Sequence, residues 1–341
     1  MQQGRSPQTS ILSRLMPDHV TRWTRAMAWA SMIANGLLIV TGGAVRLTAS
    51  GLGCPTWPRC TDESWTNTPE MGIHGYIEFG NRLLTFVLVI IAVLTFLSVV
   101  RLWRTRRDLF VLALVLALGI PLQAIIGGIT VRTGLNPWVV GIHFVLSAVL
   151  VALAAILVNR TRRASLPAVD VAEGPGQFDD PDRSRVRWLA GLMGVSAALT
   201  IYVGTLVTGT GPHSGDSGEV ARHAFDPYVI ARLHVVPVYV LVGATVAALF
   251  LAMRGRWPGP ILRSLQIVGL VLAVQAAVGY YQWFNGVPVL AVAIHMAGSA
   301  FTAATVTMAV EKMVRISAPR PPDFAGSDAD APVASGVRPQ R

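Results

Sequence analysis

Charge is what this chain has least of. Only 13% of its 341 residues are Asp, Glu, Lys or Arg, against 52% hydrophobic, and the mean hydropathy is +0.53. Those values exclude a disordered chain and point to a protein that crosses a membrane several times. Also missing is any small-residue cleavage site after the first apolar run, which is too long and too internal for a cleaved signal peptide. Basic residues are scarce in alternate loops, which hold only Arg46, Arg59, Arg132 and Arg222. The other arginines gather in the N-terminal segment (Arg5, Arg14, Arg22, Arg25), after the second apolar run (Arg101, Arg104, Arg106, Arg107), between 159 and 187, after the sixth run (Arg254, Arg256, Arg263) and in the tail. That asymmetry is the positive-inside pattern and places both termini in the cytoplasm. It also accounts for the net charge of +10 through contact with anionic lipid, so a nucleic-acid partner is not expected. Cysteine is limited to Cys54 and Cys60, both in the first outward loop. In a bacterial plasma membrane that loop faces an oxidising compartment, so a disulfide is expected.

Eight runs are apolar and long enough to cross about 30 Å of hydrocarbon: about 25–45, 76–100, 108–131, 138–158, 186–208, 228–252, 260–282 and 288–311. The fold class is therefore an all-α integral membrane protein. It divides into an N-terminal tail (1–24), a four-helix bundle (25–160), a charged Pro/Gly-containing linker (161–186), a second four-helix bundle (187–311) and a C-terminal tail (312–341). The halves read as a duplication. LQAIIGGITVRTGLNPWVVGIHF at 122–144 parallels VQAAVGYYQWFNGVPVLAVAIHM at 274–296, with a Gln twenty residues before a His, a Gly four after the Gln, and a Pro in the turn. VTGGAVRLTASG after the first span is echoed more faintly by VTGTGPHSG after the fifth. An even number of spans per half gives the repeats one orientation, hence two pseudo-symmetric bundles side by side.

Four polar clusters interrupt the apolar runs, each just inside the outer end of an even-numbered span: Glu78 with Asn81 and Arg82, then His143, then Arg232 with His234, then His295. Ionisable side chains are costly in lipid and mark function by default. A lone imidazole can merely hydrogen-bond across to a neighbour. Three at one depth, two of them repeat-related, suit metal ligation better. His234 and His295 belong to one bundle and can supply both axial bonds of a haem iron. Zinc is disfavoured because no cysteine or third ligand accompanies them. Glu78 lies one turn from His74 and from Arg82. It is either half of a neutralising ion pair or a carboxylate beside a reacting group. His74 sits at the interface, solvated or a further ligand, while His19, His213 and His223 are expected to have no chemical role. Gly42, Gly43, Gly127, Gly128, Gly204 and Gly279 allow close helix packing, clearance for a flat macrocycle, or both.

The run GGAVRLTASGLGCPTWPRC (42–60), the IEFGNR of the second span, the outward-end histidines and the four-plus-four layout resemble the haem A synthase family over about 25–311. The resemblance implies oxidation of a ring methyl of haem O to a formyl group, with water as oxygen source, for terminal (cytochrome) oxidase assembly. It implies haem b bound by His234 and His295, His143 at the substrate-haem site, an activity-critical carboxylate at Glu78, and a disulfide between Cys54 and Cys60. The implied partners are haem O, a haem O synthase that supplies it, the lipid bilayer, an electron acceptor of unknown nature and a second copy in a homo-oligomer. Asn81 departs from the pattern, because relatives carry a histidine there. That leaves the substrate iron five-coordinate through His143, or completed by His74. Substrate haem is expected against Gly42/Gly43 and Gly127/Gly128, with Glu78 near the ring edge. The competing class is a dihaem electron-transfer cytochrome; a transporter explains the histidines poorly.

Overall fold

The computed structural model describes residues 11–163, 180–213, 215–255 and 257–317. Residues 1–10 and 318–341 of the expected tails and residues 164–179 of the expected linker lie outside the described residues. Among the described residues there are helices and no strand. A short α1 (Ile11–Leu15) precedes α2 (Arg22–Leu47), α3 (Gly72–Leu97), α4 (Arg107–Arg132), α5 (Pro137–Arg163), α6 (Asp180–Thr210), α7 (Pro227–Arg254), α8 (Gly259–Phe284) and α9 (Val289–Ile316). The last eight are long and apolar enough to cross a membrane. Twenty-six residues at about 1.5 Å each reach about 39 Å, more than the hydrocarbon needs. The chain is a multi-pass membrane protein.

The helix ends carry their own signals. Thr21 forms a reciprocal capping box with Thr24, and the Asp226 carboxylate accepts from the Tyr228 and Val229 amides ahead of Pro227. The turns before α5 and α9 share one geometry. Gly134–Leu135 and Gly286–Val287 all have positive φ, and the Leu135 and Val287 amides each donate to a carbonyl five residues back, both at 2.9 Å. Glycine opens each turn because the left-handed region costs it nothing. The charged ends differ from expectation: α5 continues to Arg163 and α6 begins at Asp180. Hydropathy falls at the first arginine, but the backbone hydrogen bonds of a helix run on past it.

Helix α2 packs against α3 and α5, and α4 against the same two; α6 and α8 likewise each pack against α7 and α9. So α3 and α5 face each other diagonally, as do α7 and α9. Contacts of α9 with α2 and α5, and of α5 with α6, join the halves. The seam is built from small residues, Ala148, Ala155, Ala300, Ala303 and Ala304 beside Ile39 and Val151, which allows the close approach that membrane helices rely on. Buried apolar side chains concentrate toward the arginine-rich end. In the second half that cluster stops at Ala197, Leu241, Leu272 and Val306, each at least seven residues short of the level of His234 and His295.

At the arginine-rich end Glu311 ties the halves together. Its carboxylate accepts from Asn159 Nδ2 (2.9 Å) and Arg160 Nε (3.1 Å) of α5 and from Arg315 Nη2 (2.9 Å), while Arg160 also reaches Asp108 of α4 (3.4 Å). Glu311→Ala removes the shared acceptor of two partly shielded guanidinium groups and an amide, leaving Arg160 with Asp108 and Asn159 Nδ2 with the Met308 carbonyl (3.0 Å), a cost of about 2 kcal/mol. A lowered Tm in detergent is expected, whereas Arg106→Ala, which removes only a local contact with Asp108, should change stability by less than about 0.5 kcal/mol. Equal melting of the two variants would contradict this.

Candidate functional site

The three inward histidines share one local construction. His143 on α5 has Gly127 of α4 against its ring, so that a Cβ there would lie 3.4 Å from Cε1. His295 on α9 has Gly279 of α8 at 3.5 Å, and His234 on α7 has Gly204 of α6 at 3.1 Å. The glycine opposite each imidazole gives the ring room to stand in the bundle interior. The Gln–His spacing of the repeat has a physical meaning too. Gln123 Nε2 donates to the His143 carbonyl and Gln275 Nε2 to the His295 carbonyl, both at 3.1 Å. These bonds add a cross-helix donor to carbonyls already within the helical ladder and so tie α4 to α5 and α8 to α9 beside the imidazoles.

His234 and His295 meet across the diagonal of the second half. Their ring centroids are 6.5 Å apart and the planes are at 77°. Two metal–imidazole bonds of about 2 Å plus two ring radii of about 1.1 Å span close to that distance. The spacing therefore suits one metal ion between two nitrogens. Nδ1 of His143, His234 and His295 is buried without a hydrogen-bond partner. Among the described residues no group of three or more His, Cys, Asp or Glu forms a metal cage. The donor set fits a centre whose remaining ligands come with the group itself, as the four pyrrole nitrogens of a porphyrin do.

The first half pairs His143 with a different construction. Glu78 is buried; it accepts from the Cys54 amide through Oε2 and from Arg82 Nε (3.1 Å) and Nη2 through Oε1. Arg82 then donates to the carbonyls of Cys54 (3.0 Å), Thr56 (3.1 Å) and Arg59 (3.1 Å). The neutralising ion pair exists, and the same carboxylate clasps the 50–60 loop. Cys54 and Cys60 are disulfide-bonded within that loop, and Trp57 lies against Gly128 of α4. Arg132 crosses the Trp57 ring, its Nη2 donating to the Trp57 carbonyl at 3.0 Å. His74 Nδ1 is 2.9 Å from Ser50 Oγ, in a cavity of about 300 Å³ lined by Leu52, Gly53, Pro55, Met71 and Asp216. Asn81 Oδ1 is buried and unpartnered.

One expectation changes. Gly43 meets Met296 of the other half and Gly128 meets Trp57, while a Cβ at Gly42 would meet nothing within 4 Å. Close packing claims the first two, and open space remains at Gly42 and beside His143 at Gly127. The loop histidines, for which no chemical role is expected, make structural contacts. His213 Nε2 donates to the Val287 carbonyl (3.0 Å), and His223 is buried, edge-on to Trp138 at 4.4 Å. Burial, then the charge of Arg46, hold the His223 pKa below its ordinary value. Both histidines lock the 211–226 loop, which also bridges to the first loop through Ser50 and Asp216. Sequence offered no signal for that interlock, because it joins positions far apart along the chain. Arg232 is exposed on the helix surface.

These features define a helical membrane protein with two facing imidazoles in one half and a single inward imidazole beside a clasped loop in the other. A family model described as cytochrome oxidase assembly protein matches residues 25–213, more than half of the chain. The chain belongs to that family. Among curated relatives it is similar to the haem A synthase of Lysinibacillus sphaericus, 31% identical over 55% of this chain and 59% of the relative. It is 30% identical to that of Geobacillus kaustophilus over 42% and 45%. The match to the Sinorhizobium fredii haem A synthase, at 25%, extends over 83% of this chain and 87% of the relative. The first two matches thus span about half the length of those relatives.

Proposed function

We propose that this chain is a haem A synthase of the bacterial plasma membrane, an oxidoreductase that converts the ring methyl of haem O into a formyl group. The observation that carries this is the His234–His295 pair at 6.5 Å, with His143 held in the matching place of the other half by the same Gln and Gly contacts. Family membership and the names of the relatives give the chemistry. The conversion consumes one water and releases four electrons and four protons, two of the protons from the methyl carbon and two from the water; an acceptor outside this chain takes the electrons. A haem O synthase is the source of the substrate. The arginine-rich end and both termini face the cytoplasm, so the histidine end faces the opposite side.

Haem b between His234 and His295 supplies a one-electron relay. Everything else falls to side chains of the first half. His143 holds the substrate through its iron, and the space at Gly42 and Gly127 admits the ring. Glu78 places a negative charge at the head of α3, where it balances positive charge at the ring edge or accepts a released proton. Arg82 and the Cys54 amide fix its position, and Trp57 closes the loop over α4, which limits water to the molecule consumed. The second four-helix unit keeps a permanent cofactor because two nitrogens grip it.

Expression in cells that make haem O, followed by pigment extraction and mass analysis, tests this proposal. Farnesylated haem with the formyl group is expected alongside haem b. Unmodified protohaem as the sole pigment of both halves would reject an enzyme in favour of an electron-transfer cytochrome.

A further inference from the structure

The halves can be laid over each other residue by residue, because their buried positions coincide. Along α2 and α6 the pairs Thr24/Val186, Ala28/Ala190, Ser31/Met193 and Asn35/Ala197 are all buried. The same register places Gly42 opposite Gly204. Along α3 and α7 the buried pairs are Leu88/Leu241, Ala92/Thr245, Thr95/Ala248 and Val99/Ala252, while Phe86/Tyr239, Val87/Val240 and Val93/Val246 are exposed together. That register places Asn81 opposite His234. Aligning the Arg–Leu dipeptides of the two helices instead would match His234 with Leu84, but Leu84 is 41% exposed and faces away from the interior.

Where the second half has an imidazole against Gly204 at 3.1 Å, the first half has a shorter carboxamide and open space at Gly42. Asn81 Oδ1 is buried with no partner. An amide oxygen is a poor substitute for imidazole on haem iron, yet it accepts a hydrogen bond well. His74 cannot stand in without giving up Ser50 and leaving the loop cavity.

Building on the haem A synthase proposal, we infer that His143 is the sole protein ligand of the first-half iron, and that Asn81 and Gly42 keep its opposite face open for a small ligand such as water. The open face has two consequences. It leaves a coordination position for a reacting molecule beside the substrate. It also removes one of two protein–iron bonds, so the product leaves more readily than the haem b of the second half.

The test uses the full chain in nanodiscs, loaded with haemin and examined in the ferric state by electron paramagnetic resonance. Wild type should show low-spin iron from the second half and an equal amount of high-spin iron from the first. Added imidazole should convert the high-spin half, taking up one equivalent per chain. Asn81→His should abolish both the high-spin signal and the imidazole uptake, and His234→Asn should create a second high-spin population. If wild type shows low-spin iron in both halves and takes up no imidazole, the inference is wrong; loss of that state in His74→Ala would assign the second bond to His74. If the first half binds neither haemin nor haem O, the haem A synthase proposal fails and the inference falls with it. Wild-type spectra and imidazole uptake decide the matter even if a variant does not fold.

Discussion

His234→Ala and His295→Ala should each remove the haem b absorption band from this chain and leave the folded protein in place. The two imidazoles stand on α7 and α9, diagonal helices of one unit, with ring centroids 6.5 Å apart. On the proposed function each would supply one of only two protein bonds to the iron, so loss of either should weaken binding by about 100-fold or more; outer-shell partners of metal ligands alone are worth about 10–100-fold. The fold survives because the buried cluster of the second half begins two turns away, at Leu241, Leu272 and Ala197. His143→Ala should spare this band and reduce only the porphyrin of the first half. Absorption spectra of the purified variants, with helical content as the control, provide the check. A full band in both His234→Ala and His295→Ala would mean that the ligands lie elsewhere.

Glu78→Ala should abolish the formyl product while haem b stays bound. The carboxylate has two duties, and their variants separate. As a clasp it holds Arg82 and the Cys54 amide; its loss strands a guanidinium beside three loop carbonyls, costing about 3 kcal/mol of local order. On the proposed function it is also a charge near the reacting carbon, which would contribute about 10²–10⁴-fold in rate. Glu78→Gln keeps an acceptor for the Cys54 amide but removes the charge, so it should lose product as fully as Glu78→Ala. Arg82→Ala leaves the charge and opens the clasp, and should retain measurable turnover. Product measured by mass analysis decides; undiminished formyl haem from Glu78→Gln would reduce Glu78 to a loop anchor.

Hydropathy alone made the eight spans legible, because lipid demands apolar helices and little else reads that way. Their charged ends were not: α6 starts at Asp180, where composition suggests a linker. The Gln–His and Gly–His intervals were visible as a repeat, but their use was not. Only the folded helices show that Gln123 and Gln275 reach the histidine carbonyls and that the glycines back the rings. The Glu78–Arg82 pair could be read at one helical turn. The three loop carbonyls that Arg82 gathers could not, nor the Trp57–Gly128, His74–Ser50 and His223–Trp138 contacts, because each joins a loop to a distant segment with no periodic signal. The Asn81/His234 correspondence lay between these cases, since the Arg–Leu dipeptides suggest one register and burial selects another.

Anomalous diffraction at the iron edge from crystals of the haem-loaded chain tests the central claim most directly. An iron peak is expected between the imidazole nitrogens of His234 and His295. Iron density lying elsewhere, or those two rings turned toward the surrounding lipid, would contradict it.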